Sequence, residues 1–122
     1  MIVAGFGFRA AATADSLRDA LAHAAGERKV TAFAAPEDKA QAACLSELAR
    51  EMGVSVRAIS ANDLSRQQTP TEAPRVRAAR HTGSVAEAAA LAAAGPGARL
   101  LAPRHISADR LATCAIAIGE GA

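Results

Sequence analysis

Short apolar runs alternate with helical patterns along this chain, and the lengths of the links between them do most to limit the fold. Met1–Phe8, Lys29–Ala35, Val54–Ser60, Arg99–Ala102 and Thr113–Ile118 read as strands. Thr13–Ala25 is an amphipathic helix: Leu17 and Leu21 share a face, Thr13 or Asp15 caps its start, and Gly26 stops it. Pro36 opens a second helix to Met52, with Leu45, Leu48 and Met52 on one stripe and Gly53 as its stop. Asn62 is placed to cap a short helical turn through Leu64. Ser84 caps the clearest helix, SVAEAAALAAAG, and Glu87 stands three residues on to complete a capping box. Gly95-Pro96-Gly97 then break the chain.

A strand–helix–strand rhythm places consecutive strands parallel, because each helix returns the chain along the length of a strand. The last two strands differ. Pro103 ends the first of them, and only the turn at Asp109–Leu111 separates it from the next, which favours an antiparallel pair at one edge. The expected fold is therefore α/β: a three-layer α/β/α domain with a mixed, mostly parallel sheet of about five strands, formed by residues 1–122 as a single domain.

The core of such a domain has unusual material. The chain is 51 % hydrophobic, mostly by alanine, with three Phe and neither Trp nor Tyr. Alanine buries little area, so helices and strands must approach closely to fill the interior. The formal charge is only +2, and 12 of the 14 basic residues are Arg, whose planar fork suits carboxylate and phosphate. No run of basic residues is interleaved with aromatics, which excludes a stacking surface for nucleic acid. No apolar stretch is long enough to span a bilayer, and no leader pattern follows Met1. Cys44 and Cys114 stand far apart, as expected of reduced thiols, Cys114 in the core and Cys44 on the packing face of the second helix. A cytoplasmic protein with no membrane or nucleic-acid partner is expected.

The stretch VAGFGFRAAAT, residues 3–13, places Gly5, Gly7 and Ala10 in a Gly-x-Gly-x-x-Ala pattern between a strand and a helix. Three readings stand at this point. The glycines could cradle a dinucleotide pyrophosphate. They could relieve crowding in a tight turn. Or the strand tip and helix start could form an anion site to which Arg9 adds a full charge. The segment Ser65–Arg80 carries Arg66, Arg75, Arg77 and Arg80 with Glu72, Pro70 and Pro74, and reads either as a lid over an anion or as a solvated loop. Thr82, Gly83 and Ser84 offer donors at a helix start. His23, His81 and His105 are spread apart; His81, in a loop, is the one candidate proton carrier. No histidines or cysteines stand at metal-ligand spacing, so no metal or other cofactor is expected.

These residues resemble the CobE/CbiG C-terminal-domain family of cobalamin biosynthesis. The opening Gly5-Phe6-Gly7-Phe8-Arg9 is similar to the family's strand and Gly-x-Gly-x-Arg turn. Lys39 matches a family lysine after the second strand. Thr82-Gly83-Ser84-Val85-Ala86-Glu87-Ala88-Ala89 is the most specific match, preceded by Pro70-Thr71 and followed by Pro103-Arg104 and Thr113-Cys114-Ala115-Ile116-Ala117. Phe8 stands where many relatives have Cys, Ala42 where they have an acid, and Arg104 where Lys is commoner.

The resemblance implies a role in vitamin B12 synthesis and a precorrin or other corrinoid intermediate as ligand, with other pathway enzymes as partners. Longer CbiG proteins of the anaerobic pathway open a lactone on a cobalt-precorrin; the stand-alone form implies either a hydrolase-like activity or a carrier. The alternative is a non-catalytic module that docks on a precorrin methyltransferase. A tetrapyrrole fringed with acetate and propionate needs several cations around a flat apolar opening. Gly5, Gly7, Arg9, Lys39, Thr82, Gly83, Ser84, Glu87 and Arg104 are the expected binding residues. If the first, second and fourth strands are parallel, Arg9, Lys39 and Arg104 face one crevice.

Overall fold

The structure, a computed structural model, describes residues 1–80 and 82–119. In chain order its elements are β1 (Ile2–Phe8), α1 (Ala14–Ala25), β2 (Ala32–Pro36), α2 (Ala43–Met52), β3 (Ser55–Ile59), α3 (Ala61–Ser65), α4 (Pro74–Arg80), α5 (Val85–Ala94), β4 (Arg99–Ile106) and β5 (Ala112–Ile118). The strands form one sheet of order β3-β2-β1-β5-β4. β1, β2 and β3 are parallel, while β5 is antiparallel to both of its neighbours, β1 and β4. β4 therefore points the same way as β1, β2 and β3. The sheet is mixed: four of its five strands share one direction, two of its four pairings are parallel and two antiparallel, and the β4–β5 pair stands at one edge as the short link predicts.

Helices cover both faces, and the two interfaces differ in material. Against one face α1 and α2 press Leu17, Leu21, Leu45 and Leu48 onto Phe6, Phe33, Cys114 and Ile116. The rings of Phe6 and Phe33 meet edge to face at 5.0 Å. Against the other, α5 lays Ala88, Ala89, Ala90, Ala93 and Ala94 on Val3, Ala34 and Ala117, with Leu64 of α3 beside them. Alternation along β1 sends Val3 to the alanine face and Ala4 and Phe6 to the other. Gly5 explains how near α5 comes: a Cβ there would lie 2.1 Å from the Ala86 carbonyl oxygen and 2.5 Å from the Ala90 nitrogen.

Several boundaries depart from the sequence reading for local reasons. β2 starts at Ala32, not Lys29, and ends on Pro36, which pairs with Ile59 of β3 and does not open a helix. The Pro36 carbonyl accepts from the backbone N–H groups of Lys39 and Ala40, closing a turn that carries Glu37 and Asp38 outside any helix; α2 begins at Ala43. Ser60, not Asn62, caps α3 by accepting from the Asp63 N–H. Pro103 does not end β4. It sits in one of two irregularities by which β4 gains residues on β5, between the pairs Ala102↔Ile116 and His105↔Cys114. An edge strand tolerates a proline there, because no ladder hydrogen bond is lost. In α1 Thr13 is the cap, and Ser16 closes the box by accepting from the Thr13 N–H.

Candidate functional site

The carboxyl ends of β1, β2 and β4 and the start of β5 meet at one end of the sheet, where ligands of open α/β sheets bind. An open cleft of about 410 Å³ lies there. Phe8, Val76, Val85, Ile106, Leu111 and Ala112 give it apolar walls. Six cations line the same cleft: Arg9, Lys39, Arg75, Arg80, Arg104 and Arg110. No acidic residue lines it among the described residues. For a chain of net charge +2 this is a strong segregation, since eight basic residues are left against all twelve acidic ones.

Each cation is brought by a different piece of backbone logic. Arg9 follows β1 directly, and its N–H donates to the Leu111 carbonyl, joining the β1 tip to the β4–β5 turn. Lys39 sits in the turn after Pro36, with its ammonium 5.2 Å from the centre of the Phe8 ring. Phe8, where many relatives are expected to carry Cys, thus forms part of the apolar wall and a cation–π seat worth about 0.5–1 kcal/mol at an exposed site. Arg110 has φ +62°, the only non-glycine residue at positive φ among the described residues. Its turn is held by Asp109, whose carboxylate accepts from the hydroxyls of Ser107 and Ser16 and from the Leu111 N–H. Those donors, Ser107 foremost, hold the Asp109 carboxyl below the usual range. From α4, Arg75 and Arg80 reach the cleft. Arg80 makes a two-pronged ion pair with Asp38 at 2.7 and 2.8 Å, which lowers the Asp38 pKa and raises that of Arg80. Arg9, Lys39, Arg75, Arg104 and Arg110 pair with no carboxylate side chain among the described residues.

The residues singled out in the sequence divide into two sets. Gly7, Arg9, Lys39 and Arg104 all line the cleft. Gly5, Thr82, Gly83, Ser84 and Glu87 do not. Gly5 lies under α5. At Gly83 a Cβ would stand 2.4 Å from the Thr71 carbonyl oxygen, so this glycine allows the segment before α4 to lie against the entry to α5. Ser84 caps α5 by accepting from the Glu87 N–H. The capping box stays half open, because the buried Glu87 carboxylate turns elsewhere: it accepts from the Thr71 N–H at 3.0 Å, the Thr71 hydroxyl at 2.8 Å and the Arg104 N–H at 2.8 Å. Thr82 is fully buried, and its hydroxyl has no hydrogen-bond partner among the described residues. His81 lies outside the described residues. Of the arginine-rich segment, Arg75 and Arg80 line the cleft, Arg77 pairs with Glu72, and Arg66 pairs with Asp63. Arg110 is the cleft cation that sequence reasoning passed over, along with apolar wall residues such as Val76 and Ile106; nothing local marks it, and it reaches the cleft through the pairing of β4 with β5.

With this geometry in hand, comparison with known proteins is informative. Residues 2–117 match the family described as the cobalamin synthesis G C-terminus. The chain belongs to this family. The crystal structure of CobE, a protein from the cobalamin (vitamin B12) biosynthetic pathway, superimposes with a TM-score of 0.85 and 28 % identity, covering 96 % of this chain and 89 % of that one. Cobalamin biosynthesis protein chiG from Agrobacterium tumefaciens str. C58 is similar at a TM-score of 0.72 and 33 % identity, over 98 % and 99 % of the two chains. A cobalamin biosynthesis protein G homolog from Sulfolobus solfataricus shares the fold at a TM-score of 0.70 and 24 % identity; the match covers 98 % of this chain and 37 % of that one. No curated protein matches. The family places the chain among cobalamin-biosynthesis proteins. Among the described residues no helix is long and apolar enough to cross a membrane, and no three His, Cys, Asp or Glu side chains are grouped to hold a metal ion.

Proposed function

We propose that the cleft binds a precorrin-type tetrapyrrole by its rim of carboxylates, and that the protein holds or carries such an intermediate in cobalamin biosynthesis. One observation carries the reading: six cations from five places in the fold line a cleft with apolar walls and, among the described residues, no acid. A flat apolar ring fringed with acids is the complement of that surface. At about 410 Å³ the cleft is at the low end of the roughly 300–1,000 Å³ of small-molecule sites. A macrocycle would lie across it with one edge seated and the rest open to a receiving enzyme.

Guanidinium groups stay protonated at neutral pH, so this lining grips anions rather than moving protons. That favours carriage over hydrolysis. A hydrolytic role would rest on His81 as proton carrier and requires conversion of a precorrin by the isolated chain.

Cobyrinic acid, a stable corrinoid acid, absorbs visible light, where polypeptide side chains contribute nothing. Titration should shift the pigment spectrum on binding. Arg9→Ala should weaken the affinity by about tenfold to a hundredfold, the worth of one charge-assisted contact, without loss of fold. Indifference of the wild-type chain to corrinoid acids would overturn the reading. Co-purification with a precorrin methyltransferase in the absence of any pigment affinity would replace it with a docking module.

A further inference from the structure

Glu87 is 0 % exposed, yet three donors converge on its two oxygens. A buried carboxylate is costly unless each oxygen is satisfied, and its removal would leave the donors that face it without a partner. Its partners therefore matter. The Arg104 N–H belongs to the irregularity of β4 that follows Pro103, where the ladder to β5 skips a residue. The Thr71 N–H and hydroxyl belong to the segment that leads into α4, and Ala73, at its end, donates to the Gly83 carbonyl. Glu87 itself stands in the first turn of α5, whose first residue, Val85, lines the cleft. One side chain thus ties together three segments that carry Arg104, Arg75 and Arg80, and Val85 into the cleft. None of this needs Glu87 to touch a ligand, and it does not line the cleft.

We infer that Glu87 is a positioning residue, which sets where the cleft cations of β4 and α4 stand relative to one another. The inference rests on the proposed ligand class only for its effect on affinity; the placement of the arginines is testable without any ligand.

Glu87→Gln is nearly isosteric but turns one acceptor oxygen into a donor facing N–H and O–H donors. The amides of Arg104 and Thr71 should exchange with solvent about tenfold to a hundredfold faster, as expected for a lost buried acceptor. Amides of β1 and β5 should keep their protection. The NMR signals of the guanidinium N–H groups of Arg75, Arg80 and Arg104 should move, while those of Arg18, paired with Glu51 on the far face, stay in place. Thr71→Val removes only the hydroxyl, serves if the first variant does not fold, and should give the same pattern at smaller amplitude. The affinity for cobyrinic acid should fall about tenfold in Glu87→Gln, and by less when Arg104→Ala is already present, because the two act through one contact.

Uniform loss of protection with the arginine signals unmoved would overturn the inference and leave Glu87 a stability residue. So would unchanged exchange at Arg104 and Thr71. If the wild-type chain ignores cobyrinic acid but the arginine signals move as stated, the ligand reading fails and the positioning role stands.

Discussion

The two faces of the sheet are filled on opposite principles. Toward α1 and α2 the interior contains alanines too, but Phe, Leu and Ile side chains fill most of its space. Toward α5 it is built chiefly from Ala and Gly, with Val3, Ile59 and Leu64 beside them, and under the helix much of the space is filled by backbone. The first kind of interface fails when a side chain is lost, the second when one is gained. The contrast has a functional side. With α5 drawn down onto β1, its first residue stands beside the tip of that strand, so Val85 and Arg9 line one cleft. A helix held off by leucines would not bring them together.

The sharpest way to break this contrast is Gly5→Val. Its Cβ would lie within 2.1 Å of a helix carbonyl oxygen, where no side chain is available to swing aside. The expected loss exceeds the few kcal/mol a domain of this size can spare, so the variant should fail to fold at room temperature by circular dichroism. A folded Gly5→Val with native stability would show that α5 is free to ride away from the sheet. Phe33→Ala probes the other face. Removing a fully buried ring that packs on Phe6 should cost about 3–5 kcal/mol in urea denaturation, with the fold retained if the starting stability allows. A cost below about 1 kcal/mol would mean that this face too closes up around small residues.

The sequence was legible where the signal is local and repeated. Strand–helix alternation led to the mixed sheet and its antiparallel edge pair, and the expectation that Arg9, Lys39 and Arg104 follow parallel strands led to their common crevice, although Arg104 lies within β4 and not after it. It was misleading where one residue serves two contexts. Pro36 is as good a helix opener as a strand end, and pairing with Ile59 decides between them. Pro103 reads as a stop until the strand is known to lie at an edge. Ser84 and Glu87 fit the capping-box signature and Thr13 and Ser16 do not, yet only the box of α1 closes on itself; that of α5 opens because tertiary donors outcompete the local one. Gly5 was read beside Gly7 as part of one turn; the pleat sends both toward α5, but Gly5 lies under its backbone at Ala86 and Ala90, while Gly7, one step nearer the strand tip, lies beside Val85 and lines the cleft. No local pattern distinguishes these cases, since each is settled by a partner far away in the chain.

α4 belongs to neither interface: no residue of it is in either apolar core among the described residues. One tie to the sheet is the ion pair of Arg80 with Asp38 in the turn after β2. The Arg80 guanidinium holds the Asp38 carboxyl below the usual carboxylate range. Because the folded form binds this proton less tightly than the unfolded chain, the tie is complete above about pH 4 and is lost as pH falls through the lowered folded value. Asp38 is exposed and Arg80 only partly covered, so the pair's effect on overall stability should be small and should shrink further in salt. Its effect on α4 should be plain. Following the Asp38 side-chain carbon by NMR should give a midpoint below about 3.9, and the α4 amides should lose protection in step with it while those of α5 do not. Asp38→Asn should release α4 in the same way at neutral pH. A midpoint at or above the ordinary value, or an α4 indifferent to both changes, would mean that the helix carrying Arg75 and Arg80 is fastened by packing after all, and that the two regions differ less than their residues imply.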